Sequence, residues 1–273
     1  MTLGGVAAWL LGAAVVAYVA LLGVVYVFQR NLLYFPDTDR PDLTAINLAS
    51  AREIAITTSD DLQLFAWYVP PVLGHPIIVY FHGNGGNVAY RTDRLRHFVD
   101  QHYGVLFVEY RGYGGNAGSP CEEGLFADAR AGLDFLTSQG IEPHRIILYG
   151  ESLGTGVAVQ MASERPIGLL LLESPYANIA AVARWHYPFL PVDLLLRDRF
   201  DSLSRVAGVR APILVLQGGH DAVIPAASGR ELFAAAPQLK EIWVALNGGH
   251  NDLASFGALD AATDFIRRYA PAN

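Results

Sequence analysis

The sequence predicts an α/β domain built on a mainly parallel sheet, with an apolar, membrane-spanning helix in front of it. Three observations carry this expectation. From residue 76 onward, short β-forming runs alternate with helical patterns, the order that yields parallel strands joined by helical crossovers. No charged side chain occurs from Met1 to Gln29. The segment Gly150-Glu151-Ser152-Leu153-Gly154 lies between an apolar strand and a small-residue helix, where Gly-x-Ser-x-Gly forms a sharp turn that holds a serine above the sheet edge.

The elements follow in order. Leu3 to Phe28 is 26 residues, about 39 Å as a helix. That exceeds the roughly 30 Å hydrocarbon core, so it spans with tilt. Tyr26 falls near the interface. A cleaved signal peptide competes with this reading, but its apolar region is shorter and follows Lys or Arg. Arg30, Arg40 and Arg52 come after the span, which biases the following domain to the cytoplasmic side. Residues 1–30 therefore read as an anchor, 31–52 as a juxtamembrane linker, and 53–273 as the catalytic domain.

A hairpin opens that domain: Glu53 to Thr58, a turn at Ser59-Asp60-Asp61, then Leu62 to Val69. Further strands are expected near 76–81, 104–110, 145–150, 167–173, 212–217 and 241–246. Helices are expected near 88–102, 122–138, 153–165, 226–236 and 255–269. Pro166 stops the third helix. Leu259, Ala262, Phe265, Ile266 and Tyr269 give the last one an apolar face. Residues 176–205 are too many for an ordinary connection. They carry Trp185, Tyr187, Phe189, Leu190, Leu194, Leu195 and Leu196, and read as a small cap. Either these residues hold an acyl chain or dip toward a bilayer, or they pack a crossover helix onto the sheet.

An elbow serine needs a base and an orienting acid, which in this architecture follow in the order Ser, Asp/Glu, His. The strand ending at Leu216 is followed by Gly218-Gly219-His220-Asp221, and the strand ending at Leu246 by Gly248-Gly249-His250. Loops at strand C-termini are where such sheets place their chemistry. His250 would take the proton of Ser152, and Asp221 would fix the imidazole tautomer. Glu173, at the end of an earlier strand, is the alternative acid. His220 reads as a loop residue. Without such partners, Ser152 would be only the cap of a glycine-rich βα turn.

Acyl transfer also needs donors for a developing oxyanion. The backbone N–H of Leu153 is one candidate. The main chain of Asn84, in the loop His82-Gly83-Asn84-Gly85-Gly86-Asn87, is the other. A phosphate-binding loop is the competing interpretation, but Gly-Lys-Ser/Thr is missing.

With these residues in view, the chain resembles the α/β-hydrolase superfamily over roughly residues 50 to 270. Within it, the chain resembles a membrane-anchored group that includes bud-emergence-like proteins and several animal α/β-hydrolase-domain-containing proteins. The likeness rests on His82 to Asn87, Tyr110-Arg111-Gly112-Tyr113-Gly114, Gly150 to Gly154, the Asp221 turn ending in Val223-Ile224-Pro225, and Gly248 to Asp252. Members of that group include thioesterases that remove palmitate from proteins and lipases acting on lysophospholipids. The resemblance implies a serine-dependent ester or thioester hydrolase, with Ser152, Asp221 and His250 as its triad, and does not choose among substrates; the anchor makes a lipid-linked acyl ester plausible beside a small-molecule one, and no cofactor or metal is expected. The resemblance also implies that Arg111 and Tyr113 brace the loop beneath the site. Gly85 departs from the alanine expected in many relatives, a harmless change.

A peptidase of the same fold and a non-catalytic membrane scaffold are the competing functions. The net charge of −7 argues against nucleic acid as a partner. The single Cys121 excludes an intramolecular disulfide or a cysteine metal cluster.

Overall fold

The computed structural model describes residues 2–237 and 239–270. An apolar helix comes first, α1 (Leu3–Leu33), then a two-residue strand, β1 (Phe35–Pro36). The hairpin is β2 (Arg52–Thr57) and β3 (Gln63–Val69). The alternating part runs β4 (Ile77–Phe81), β5 (Gly85–Gly86), α2 (Thr92–Asp100), β6 (Gly104–Val108), α3 (Glu122–Ser138), β7 (Ile146–Glu151), α4 (Leu153–Glu164) and β8 (Leu169–Glu173). The cap region holds α5 (Ile179–His186), α6 (Val192–Leu195) and α7 (Ser202–Val206). The chain closes with β9 (Ile213–Gly218), α8 (Ala226–Ala235), β10 (Lys240–Ala245) and α9 (Ala258–Tyr269).

Eight strands form one sheet in the order β10-β9-β8-β7-β4-β6-β3-β2. Among the described residues, only β3 runs against its neighbours, β2 and β6; every other pair in this sheet is parallel. The central strand β7 explains why its sequence is apolar without alternation. Ile146 and Leu148 enter the core shared with α3, α4 and α8, whereas Ile147 and Tyr149 enter the core shared with α2 and α9. A strand covered on both faces has no polar side to display.

Three expected elements are shorter or broken, each for a local reason. The strand near 104–110 ends at Val108. Beyond it, the Glu109 carbonyl accepts from Asn116 Nδ2 (3.1 Å) rather than from a neighbouring strand. The helix near 88–102 begins as a 3₁₀ turn, Val88–Arg91, and becomes α-helical only at Thr92. The helix near 255–269 is split by Gly257, whose φ of 94° is left-handed, a conformation that ends one helical segment before the next begins.

α1 is 31 residues long, has no buried residue, and is apolar enough to cross a membrane. Its C-terminal half is tied to the cap region. Tyr18 Oη donates to the Phe189 carbonyl (2.7 Å), Gln29 Nε2 to the Leu195 carbonyl (3.0 Å), and Arg197 N to Gln29 Oε1 (2.8 Å). Arg30 forks onto Asp198 at 2.8 and 3.0 Å, and Tyr34 Oη donates to the same carboxylate. Trp185, Tyr187, Phe189 and Leu194 are exposed on this side of the molecule rather than packed on the sheet.

Candidate active site

The turn from β7 into α4 has little freedom. Ser152 has φ 50° and ψ −116°, a region that L-residues occupy only when the surroundings impose it. The surroundings do. Ser152 N donates to the Glu173 carbonyl on β8 (2.9 Å), and Thr155 donates to the Ser152 carbonyl from both N and Oγ1 (2.9 and 2.6 Å). α4 also passes directly against the end of β4. A Cβ at Gly154 would lie 2.0 Å from the Phe81 carbonyl oxygen.

His250 Nε2 lies 2.8 Å from Ser152 Oγ, and His250 Nδ1 lies 2.8 Å from Asp221 Oδ2. The structure thus brings together three side chains from the ends of β7, β9 and β10. Each is fixed from behind. Asp221 Oδ1 accepts from Val223 N (2.9 Å) and Ile224 N (2.8 Å), leaving Oδ2 for the imidazole. The His250 carbonyl accepts from Ser174 Oγ (3.2 Å), and Gly249 N donates to Asp252 Oδ1 (2.7 Å). The two loops are also stitched together: His220 N donates to the Gly248 carbonyl (2.9 Å). His220 serves there as a loop residue.

Glu173, the alternative acid, stands in a different network. Its carboxylate is buried against Arg94 Nη2 (2.6 Å) and Tyr149 Oη (2.6 Å). The imidazole of His250 faces Asp221 instead.

The loop after β4 runs beside the serine: a Cβ built on Gly83 would lie 3.5 Å from the Ser152 Cβ. The Gly83 carbonyl is turned toward His82 Nδ1 (2.7 Å). In a trans peptide the carbonyl and the next N–H point in opposite directions, so the Asn84 N–H faces away from His82. The Asn84 carbonyl accepts from Tyr113 Oη (2.8 Å) and Phe35 N (2.9 Å). Among the described residues, neither the Leu153 nor the Asn84 amide has an intramolecular acceptor. Tyr113 braces this loop as expected. Arg111 works elsewhere, joining Asp60 of the hairpin turn to Asp128 of α3. A Cβ at Gly85 meets nothing within 4 Å, so glycine there is sterically optional.

Two charged residues behind the site have roles that no sequence motif marks. Glu151, the variable position before the serine, is clasped by Arg91 through Nε (3.1 Å) and Nη2 (3.0 Å), and accepts from Tyr80 Oη. Burial alone would raise its carboxyl, but the Arg91 and Arg94 charges outweigh burial and hold it well below the usual range. Glu109 links the two ends of the loop after β4: it accepts from Val88 N (2.8 Å) and faces His82 Nε2 (2.9 Å). Among the described residues, no group of three His, Cys, Asp or Glu side chains is placed to hold a metal ion.

The profile of the Alpha/beta hydrolase family matches residues 78–207. The alpha/beta hydrolase domain-containing protein WAV2 of Arabidopsis thaliana is 30% identical over 251 residues, spanning 82% of this chain and 80% of that protein. The lysophosphatidylserine lipase ABHD12 of Danio rerio is 28% identical over 86% of this chain and 72% of its own. Among solved structures, the Pyrococcus furiosus esterase Pf2001 superposes with a TM-score of 0.70 over 88% of this chain and 98% of that one. At 18% identity that likeness speaks for the fold. The chain belongs to the α/β-hydrolase superfamily, and it is a hydrolase.

Proposed function

We propose that this protein is a membrane-anchored serine hydrolase that cleaves a carboxylic ester or thioester, with acyl lipids or lipidated proteins as the substrate class. The observation that carries the reading is the relay from Asp221 Oδ2 to His250 Nδ1 and from His250 Nε2 to Ser152 Oγ, 2.8 Å at each step. His250 takes the serine proton as Oγ bonds to the acyl carbon. The amides of Leu153 and Asn84 stabilise the resulting oxyanion. Collapse breaks the bond to the leaving group, which departs with the proton held on His250. Water then attacks the acyl-serine, gives a proton to His250, and releases the carboxylic acid as the proton returns to Ser152. Asp221 keeps the imidazole oriented and stabilises its charged form at both steps.

Two features favour an amphiphilic substrate. α1 is long and apolar enough to span a bilayer, and an anchor of that kind would keep the domain where membrane-bound esters are concentrated. The exposed Trp185, Tyr187, Phe189 and Leu194 form apolar surface next to α1. The relative named as a lysophosphatidylserine lipase points the same way. The bias of Arg30, Arg40 and Arg52 supports a cytoplasmic position for the domain; protease protection in sealed vesicles of known sidedness tests that. Turnover of acyl esters, acyl thioesters and peptide amides by the micellar protein and its Ser152→Ala variant tests the chemistry. Ester or thioester cleavage by the wild type alone is expected. Cleavage of amides alone points to a peptidase, and an inert wild type to a scaffold.

A further inference from the structure

The chain leaving α1 does not hang free. Phe35 and Pro36 of β1 pair in parallel with Gly85 and Gly86 of β5, in the loop beside Ser152. Phe35 N donates to the Asn84 carbonyl (2.9 Å) and Asp37 N to the Gly86 carbonyl (3.1 Å). Asn84 Nδ2 returns a bond to the carbonyl of Leu33, the last residue of α1 (2.9 Å). The Asp37 carboxylate accepts from Tyr90 Oη (3.1 Å), and Asn87 Nδ2 donates to the Asp39 carbonyl (3.2 Å). The carbonyl and the side chain of Asn84 are therefore both bonded to the segment that leaves the helix, while its amide has no intramolecular acceptor among the described residues.

Tyr113 Oη on the Asn84 carbonyl (2.8 Å) and Arg91 Nη1 on the Gly85 carbonyl (2.7 Å) hold part of this loop from within the domain, and the segment after α1 supplies the bonds to the Asn84 side chain and the Gly86 carbonyl. Gly83, Gly85 and Gly86 give the loop wide conformational freedom, and ordering a backbone residue costs roughly 1–2 kcal/mol. An oxyanion donor is useful only when it is fixed before the charge develops. From this we infer that the segment Leu33–Asp39 is a positioning element of the active site: its backbone holds the Asn84 amide in place, so that the seating of the apolar helix and the rate of turnover are coupled. Phe35 and Asp37 touch no reacting atom and act through the loop. The inference rests on the esterase reading above, and its failure is separable from the failure of that reading.

The full-length protein in detergent micelles, acting on p-nitrophenyl acetate, provides the test. Phe35 is exposed, so Phe35→Ala removes a side chain that packs little, whereas Phe35→Pro also removes the N–H that holds Asn84. Because the oxyanion exists only in the transition state, loosening its donor lowers kcat and spares KM. The expected result is a Phe35→Ala variant near wild type and a Phe35→Pro variant with kcat down about tenfold or more and KM within about twofold. Active-site titration with a fluorophosphonate corrects for any misfolded fraction. Equal kcat in the two variants overturns the inference, while a wild type that neither cleaves the ester nor takes the probe overturns the esterase reading instead. A second measurement needs no variant. Binding free energies couple reciprocally, so filling the oxyanion site with the phosphonyl oxygen on Ser152 is expected to slow hydrogen exchange at the Phe35 and Asp37 amides. Unchanged exchange at both amides contradicts the inference even if the proline variant fails to fold.

Discussion

Gly154→Ala is the sharpest perturbation of the nucleophile turn. The added Cβ would sit 2.0 Å from the Phe81 carbonyl oxygen, 2.6 Å from its carbon and 2.8 Å from the His82 carbonyl oxygen. All three are backbone atoms, and a Cβ does not approach closer than 3.0 Å, so α4 and the end of β4 must separate by about 1 Å. Overpacking of this kind costs roughly 1–3 kcal/mol, which lowers Tm by about 2–4 °C per kcal/mol in a domain of this size. The larger effect is on rate. Ser152 precedes Gly154 by two residues, and its loop partners His82 and Gly83 follow Phe81, so the same separation moves serine and oxyanion loop apart. A misplacement of about 1 Å costs on the order of 10²-fold in kcat. Ester turnover, normalised to the fraction labelled by a fluorophosphonate, together with a thermal melt, measures both. A Gly154→Ala protein with wild-type kcat and Tm would refute the claim that this contact sets the geometry.

Other perturbations follow from the same geometry. Asp221→Asn leaves the loop folded but offers the imidazole an amide instead of a carboxylate, and kcat on a short ester is expected to fall by about 10³–10⁴-fold; Glu173→Gln must cost far less, and the reverse ranking assigns the acid wrongly. The Arg91 and Arg94 charges hold the Glu151 carboxyl well below its ordinary range in the folded protein, so it contributes stability above the unfolded pKa and loses it as pH falls through the folded one. That stability should therefore be lost as the pH falls below the ordinary carboxylate range. Glu151→Gln is expected to be less stable at pH 7 but flatter over that fall in pH by chemical denaturation; parallel curves would contradict the ion-pair account. Phe189→Ser and Leu195→Ser should lower kcat/KM for long-chain esters roughly five- to tenfold relative to short ones, and an unaltered chain-length preference in folded variants dismisses the acyl-surface idea.

Sequence reading reached the three-residue constellation because each member announces itself locally. Ser152, Asp221 and His250 all follow apolar strands and sit among glycines that only a tight turn requires. The strands of the parallel sheet were legible for a similar reason: buried on both faces, they appear as unbroken apolar runs. What stayed hidden depends on partners far along the chain. Glu151 occupies a variable position of its motif, and its role is set by Arg91 and Tyr80, which tertiary folding brings to it. Residues 31–52 read as a linker since Phe35-Pro36 is too short for any periodicity, yet their hydrogen bonds to Asn84 and Gly86 depend on a loop 49 residues away. The break at Gly257 is not legible either: the apolar face that marks the last helix begins only at Leu259 and does not fix where the helix starts.

The central claim is that Ser152 is the nucleophile, activated by His250. Treating the full-length protein with a fluorophosphonate and mapping the adduct by peptide mass spectrometry tests it most directly. The account predicts one adduct, on the peptide containing Ser152, lost in Ser152→Ala and strongly slowed in His250→Ala. An adduct on another residue, or labelling that persists unchanged in Ser152→Ala, would contradict it.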